Sequence, residues 1–207
     1  GMYNYSLYSV DMPWYGYSIK KLVVSDGVTS IGKDAFFASA SLNEVVLGDS
    51  VESIGYEAFC RCSSLKQITL PASLKTVGER AFENCAALTD IDLPEGLKEI
   101  YGGVFNSCKS LKKIKLPEKL TILGESAFSD CEGLKNIEIP ETVTKIDDLV
   151  FNGCTSLKKI SLNEGLRKIG KSAFKNCESL EEILIPSTVS SISDAPFRGC
   201  KGLKSIR

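Results

Sequence analysis

The sequence predicts an α/β repeat protein: a right-handed solenoid of 23-residue coils with a parallel β-sheet on its concave face and little regular helix. Three observations predict it. A leucine or isoleucine recurs every 23 residues at Ile19, Leu42, Leu65, Leu88, Leu111, Leu134, Leu157, Leu180 and Leu203. Phenylalanine keeps that step at Phe36, Phe59, Phe82, Phe105, Phe128, Phe151, Phe174 and Phe197, and cysteine keeps it at Cys62, Cys85, Cys108, Cys131, Cys154, Cys177 and Cys200. Chance does not hold three unrelated residue types to one period without an insertion. Residues 19–207 therefore divide into eight full coils and a truncated ninth, numbered here from coil 1 (residues 19–41), and residues 1–18 stand before them.

Coil 5, residues 111–133, shows how each part is expected to fold. Leu111, Ile114 and Leu116 are apolar with lysines between them, the alternation of a half-buried strand. Proline follows the strand in most coils (Pro71, Pro94, Pro117, Pro140, Pro186) and, lacking an amide, ends the ladder. Leu120 and Leu123 bring the chain back across the core. Glycine then marks a corner in five coils (Gly32, Gly55, Gly78, Gly124, Gly170), where a positive φ is expected. Ala127 and Phe128 open a short helical or irregular segment that closes the coil. Stacking makes one continuous parallel sheet, with the phenylalanines as a buried column. The N-terminal segment, with Tyr3, Tyr5, Tyr8, Trp14, Tyr15 and Tyr17, is expected to cap the stack. At the other end the chain stops at Leu203–Arg207, inside a coil, so a fragment of a longer protein is expected.

Composition narrows the chemistry. With 25 Lys+Arg against 26 Asp+Glu, the net charge of −1 argues against a general nucleic-acid partner. No stretch reaches the ~18–20 apolar residues needed to insert in a membrane, and the N-terminus has no signal-peptide pattern. Histidine is absent, which removes Ser-His and Cys-His nucleophile pairs, His-based zinc sites and His general bases. No enzyme activity, cofactor or metal is expected.

The recurring Leu-x-x-Ile-x-Leu-Pro-x-x-Leu-x-x-Ile-Gly-x-x-Ala-Phe-x-x-Cys resembles the BspA-type leucine-rich-repeat family. Its Ile-Gly-x-x-Ala-Phe core stands intact at residues 31–36, 54–59 and 169–174, and Pro13-Trp14-Tyr15 before Ile19 is similar to the family's lead-in. Tyr101, Asp147 and Ser193 replace the corner glycine, and Pro196 replaces the alanine; these departures bear on local corner geometry. The resemblance covers residues 19–207 and implies a bacterial secreted or surface-attached protein that adheres to host matrix or plasma proteins or to other microbes. In members of the family a short β segment lies upstream of the first coil, which fits the expectation of a fragment. One repeat fold hosts many partners, so the ligand stays open.

Three sequence features invite a chemical reading. Residues 165–172, Gly-Leu-Arg-Lys-Ile-Gly-Lys-Ser, match the phosphate-binding loop pattern, but Leu166 and Ile169 are core positions of the repeat and Gly170 is its corner. The cysteine column could be spaced for disulfides, yet a linear ladder does not converge on a metal, and compact buried thiols explain the spacing best. Cys60 lies outside the ladder and is expected to be the exposed, reactive thiol. Asp90 with Asp92, or Glu181 with Glu182, form carboxylate pairs, but on strand positions that vary between coils, where surface charge suffices.

Those variable positions are where a ligand is expected to bind. Lys112, Lys113 and Lys115 make a basic strand, followed by Lys135 and then Lys158 and Lys159; Asp90 and Asp92 lie on one side, Glu181 and Glu182 on the other. The expected partner is an acidic segment of a protein or glycan held on the basic band, its register set by the flanking acids. A solvated lysine-rich surface with no ligand explains the same residues, and so does a module serving only as a structural spacer. Val23 and Val46 in the first coils are either a small apolar contact patch or a seat for the aromatic cap.

Overall fold

The computed structural model describes Trp14 and residues 17–207. They form a β-solenoid of about eight turns, each one 23-residue repeat long, with no helix among the described residues. The alternation in the sequence sets the first strand of each coil. Lys113–Lys115 is exposed, buried, exposed, with Ile114 the inward residue, and Asp90–Asp92 and Asn136–Glu138 repeat the pattern. Parallel pairing joins residues one repeat apart, as in Ile91 to Ile114 and Ile137 to Ile160.

This ladder is not the single continuous sheet expected. It divides into a three-stranded run from Lys21–Val24 to Gln67–Thr69 and two-stranded runs beyond it. Its strands are only two to four residues long. A second ladder, not anticipated from the sequence, lies where Leu120 and Leu123 were expected merely to return the chain. It is built of two-residue strands such as Ser53–Ile54, Thr76–Val77 and Ile122–Leu123.

The third side of the coil is all turn, and here the backbone does something unusual. Two columns of residues sit at positive φ: Asp34, Glu57, Arg80, Ser126, Leu149, Ser172 and Ala195, and, four positions on, Ala38, Arg61, Asn84, Ser107, Asp130 and Asn176. Alternate amides on this side donate to carbonyls of the following coil, as in Asp34 to Tyr56, Phe36 to Ala58 and Ala38 to Cys60. The turns thus carry a third hydrogen-bonded ladder, which satisfies backbone that would otherwise be buried unpaired.

The corner glycines are corrected by this geometry. None of Gly55, Gly78, Gly124 and Gly170 has a positive φ; the left-handed position falls two residues later. Glycine is needed because the preceding coil passes too close. A Cβ on Gly55 would lie 2.6 Å from the Lys33 amide nitrogen, and one on Gly78 would lie 2.6 Å from that of Tyr56.

The core runs the length of the stack. Phe36 through Phe174 are buried, and the eight rings from Phe36 to Phe197 stack with centroids 5.3–5.8 Å apart. Trp14 continues the column, 4.9 Å from Phe36, and its indole Nε1–H donates to the Ala35 carbonyl at 2.8 Å. Tyr17 is exposed, while Tyr3, Tyr5, Tyr8 and Tyr15 of the expected cap lie outside the described residues.

All eight cysteines are free thiols. Each ladder cysteine, buried except for the half-buried Cys200, also donates from Sγ to a phenylalanine carbonyl of the preceding coil, as in Cys85 to Phe59 and Cys131 to Phe105, both at 3.2 Å. Those carbonyls already accept an amide of their own coil, such as Cys62 N to Phe59, so the thiol supplies a second bond. Cys60 is not the exposed thiol expected. It is 3% exposed, and burial, reinforced by Glu83 and Glu57, pushes its pKa up to about 12. Its thiol is covered without joining the hydrophobic core, with Glu57, Arg61, Arg80 and Glu83 near enough to act on it.

Candidate ligand-binding face

The outward residues of the first strands meet across coils 5 to 7 in an open pocket of about 980 Å³. Five lysines of the basic band line it: Lys113, Lys115, Lys135, Lys158 and Lys159. Lys112 is exposed but does not reach the lining, and neither do Asp90, Asp92, Glu181 or Glu182. The acids do flank the band. Asp90 pairs in register with Lys113 and Asp92 with Lys115, while Glu182 opens the equivalent strand of coil 8 and Glu181 precedes it.

The electrostatic state of the lysines differs along the band. Lys115 bonds Glu95 at 3.1 Å, and this bond raises the lysine's pKa above its ordinary value. The Glu95 carboxylate also accepts the Glu118 amide at 3.1 Å, the main reason its own pKa is lowered. Glu181 is held by Lys204 at 2.8 Å, which lowers its pKa. Lys112, Lys113, Lys135, Lys158 and Lys159 make no ion pair among the described residues. Four of the pocket's lysines, Lys113, Lys135, Lys158 and Lys159, thus line it without an ion pair, although Lys158 is near enough to Glu181 to help lower its pKa.

Acidic residues missing from the sequence-based site also line the pocket: Glu118, Glu138 and Glu141. Glu138 pairs in register with Ser161 and stands among the lysines. Glu118 and Glu141 belong to a carboxylate column that keeps the 23-residue step from Glu95 to Glu164. That periodicity was readable in the sequence. What was not readable is that the turn after the strand folds its carboxylates back beside the same hollow. Val23, at the far end of the face, is 61% exposed and pairs with the half-buried Val46.

The phosphate-loop match has no anion-binding geometry. The amides of Arg167, Gly170 and Ser172 donate to the Thr144, Ile146 and Asp194 carbonyls, and that of Lys171 donates to the Asp148 carboxylate. Leu166 and Ile169 are fully buried. Among the described residues no helix is long and apolar enough to cross a membrane.

The model of the BspA type leucine-rich repeat region matches residues 12–135 and 123–207, in six copies. The chain belongs to the BspA-type leucine-rich-repeat family. Solved structures agree. A leucine-rich repeat protein from T. pallidum is 34% identical with a TM-score of 0.72, the match covering 78% of each chain. One from Bacteroides ovatus is 27% identical with a TM-score of 0.75; the match covers 89% of this chain and 63% of that one. This chain therefore spans about three-fifths of the Bacteroides ovatus protein's length. A leucine-rich cell surface protein from Faecalibacterium prausnitzii shares the fold at 24% identity and a TM-score of 0.52, over 93% of this chain and 73% of that one. No curated protein matches. In this BspA-type stack the family pattern fixes the inward residues, and the pocket is built from the outward ones that the pattern leaves free.

Proposed function

We propose that this chain is a macromolecule-binding module of adhesion type, belonging to a secreted or surface protein, with its ligand on the strand face of coils 5 to 7. In this reading the strand face is the concave side of a right-handed coil, and the chain performs no catalysis. The observation that carries it is the set of unpaired lysines, Lys113, Lys135, Lys158 and Lys159, lining one open pocket. A merely solvated charge surface does not require them to converge. Family membership supports a protein partner and an extracellular setting; the lack of histidine and of any insertion in the repeat supports the absence of an enzyme activity.

The test is a binding screen of the folded chain against matrix proteins, plasma proteins and sulfated and acidic glycans at two salt concentrations. A salt-sensitive ligand is expected, since exposed charge pairs weaken as ions screen them. The combined Lys113→Glu, Lys135→Glu, Lys159→Glu variant should lose that ligand while keeping its circular dichroism and melting profile. Binding that survives the reversal would move the site elsewhere. Silence across the panel would favour a spacer that holds another domain away from a surface.

A further inference from the structure

In coils 5 to 7 the residue that opens the first strand is Lys113, Asn136 and Lys159 in turn, and the residue before it is Lys112, Lys135 and Lys158. All of these are exposed, and no acid occupies either position within these coils. Carboxylates close this basic patch on three sides. Toward coil 4 the strand opens with Asp90, in register with Lys113. Toward coil 8 it opens with Glu182, preceded by Glu181, which Lys158 is near enough to influence. Toward the strand end the next outward position holds Lys115, Glu138 and Ser161. Lys115 is already held by Glu95, and Glu118 and Glu141 stand in the turn beyond. Coils rise ~4.8 Å each, so the patch runs about 10 Å along the stack. An extended chain advances ~3.4 Å per residue, so about three residues lie within it.

We propose that this patch takes a protein segment whose negative charge is confined to about three neighbouring residues, and that Asp90 and Glu182 set the limit by repelling a longer anionic run. The proposal rests on the strand face of coils 5 to 7 being the binding site. Charge complementarity gives the sign of the occupant, since Lys113, Lys135 and Lys159 make no ion pair among the described residues. The surrounding carboxylates give its length. A sulfated glycan or a poly-acid carries charge all along its chain. Laid along the stack, it meets Asp90 at one end and Glu182 at the other; laid along the strand, it meets Glu138 or the turn carboxylates. A protein segment can hold a few acids between neutral residues, and so reach the lysines without meeting like charge.

The experiment titrates the folded chain at low salt with Ser-Gly peptides of about twelve residues. One carries a single central glutamate, one a central run of about three, and one is glutamate throughout; a heparin-derived oligosaccharide of similar length is the fourth probe. Affinity should rise from the single glutamate to the short run. The all-glutamate peptide and the oligosaccharide should bind no tighter than the short run, although they offer more charge and more registers. Asp90→Asn with Glu182→Gln, both at exposed side chains, removes the end charges and leaves the lysines in place. In that variant, its fold checked by circular dichroism, the all-glutamate peptide should gain about fivefold and the short run about twofold or less. Tighter binding of the all-glutamate peptide or the oligosaccharide by the unaltered chain overturns the proposal. So do an equal gain or no gain in the variant, and no binding by any peptide. If the peptides fail while a panel ligand is still lost on reversal of Lys113, Lys135 and Lys159, the binding-module reading stands and only the length limit falls.

Discussion

Replacing Phe128 by alanine tests whether the phenylalanine column holds the stack together. The ring is fully buried and lies between two others, 5.4 Å from Phe105 and 5.8 Å from Phe151. Truncation removes its transfer energy, leaves a cavity that rigid neighbouring coils cannot close, and breaks two stacking pairs, together ~3–5 kcal/mol. Phe197 is the control: it is partly exposed and has one ring neighbour, Phe174 at 5.6 Å, so its alanine variant should lose only ~1–2 kcal/mol. Urea unfolding followed by far-ultraviolet circular dichroism and by the fluorescence of the single tryptophan separates two effects. Trp14 reports the coil 1 end and dichroism reports the whole chain. A lesion in coil 5 weakens both its interfaces, so the two transitions should part in Phe128→Ala and coincide in wild type. A loss below about 1 kcal/mol, or one equal to that of Phe197→Ala, would show that the column is not what couples the coils.

Other outcomes follow from particular contacts. Gly78→Ala should cost ~1–3 kcal/mol, because its Cβ would meet the Tyr56 amide nitrogen at 2.6 Å; Gly96→Ala, whose nearest neighbour is the Leu74 carbonyl at 3.4 Å, should stay within ~0.5 kcal/mol by thermal melting. Cys60 should react with a thiol reagent only upon unfolding, and rapid labelling of the native chain at Cys60 would contradict its placement. Cys60 and Cys62 both have pKa values pushed up to about 12, mainly by burial. A group whose folded pKa is raised loses its stabilising contribution as pH climbs from the unfolded value toward the folded one. Stability should therefore hold to about pH 8 and fall between about pH 9 and 12; melting temperatures rising across that window would reverse the sign. The Asp34 carboxylate is buried without a hydrogen bond, and burial raises its pKa despite Lys33 at 3.9 Å. Asp34→Asn removes the buried charge and suits the φ of 54°, so it should raise the melting temperature at neutral pH.

The sequence alone determined the period, the inward residues and the family, because in a stack each coil meets only its neighbours and the same interior must be filled at every step. The Leu, Ile, Phe and Cys columns repeat at one spacing for that reason, and the outward lysines could be picked out as what the repeat does not fix. Only the tertiary structure decided matters that depend on distances between coils. The corner glycine reads as a turn residue in one coil and becomes a steric requirement once the preceding coil lies 2.6 Å from its missing Cβ. Cys60 reads as an exposed outlier of the cysteine ladder until the packing of neighbouring coils is seen to cover it. Glu118 and Glu141 belong to the turn beyond the strand, and only the path of the folded coil sets them in the same pocket as the lysines. A linear pattern records which side chains recur. How closely coils approach, and which turn residues come to line the strand face, is set by backbone path and packing.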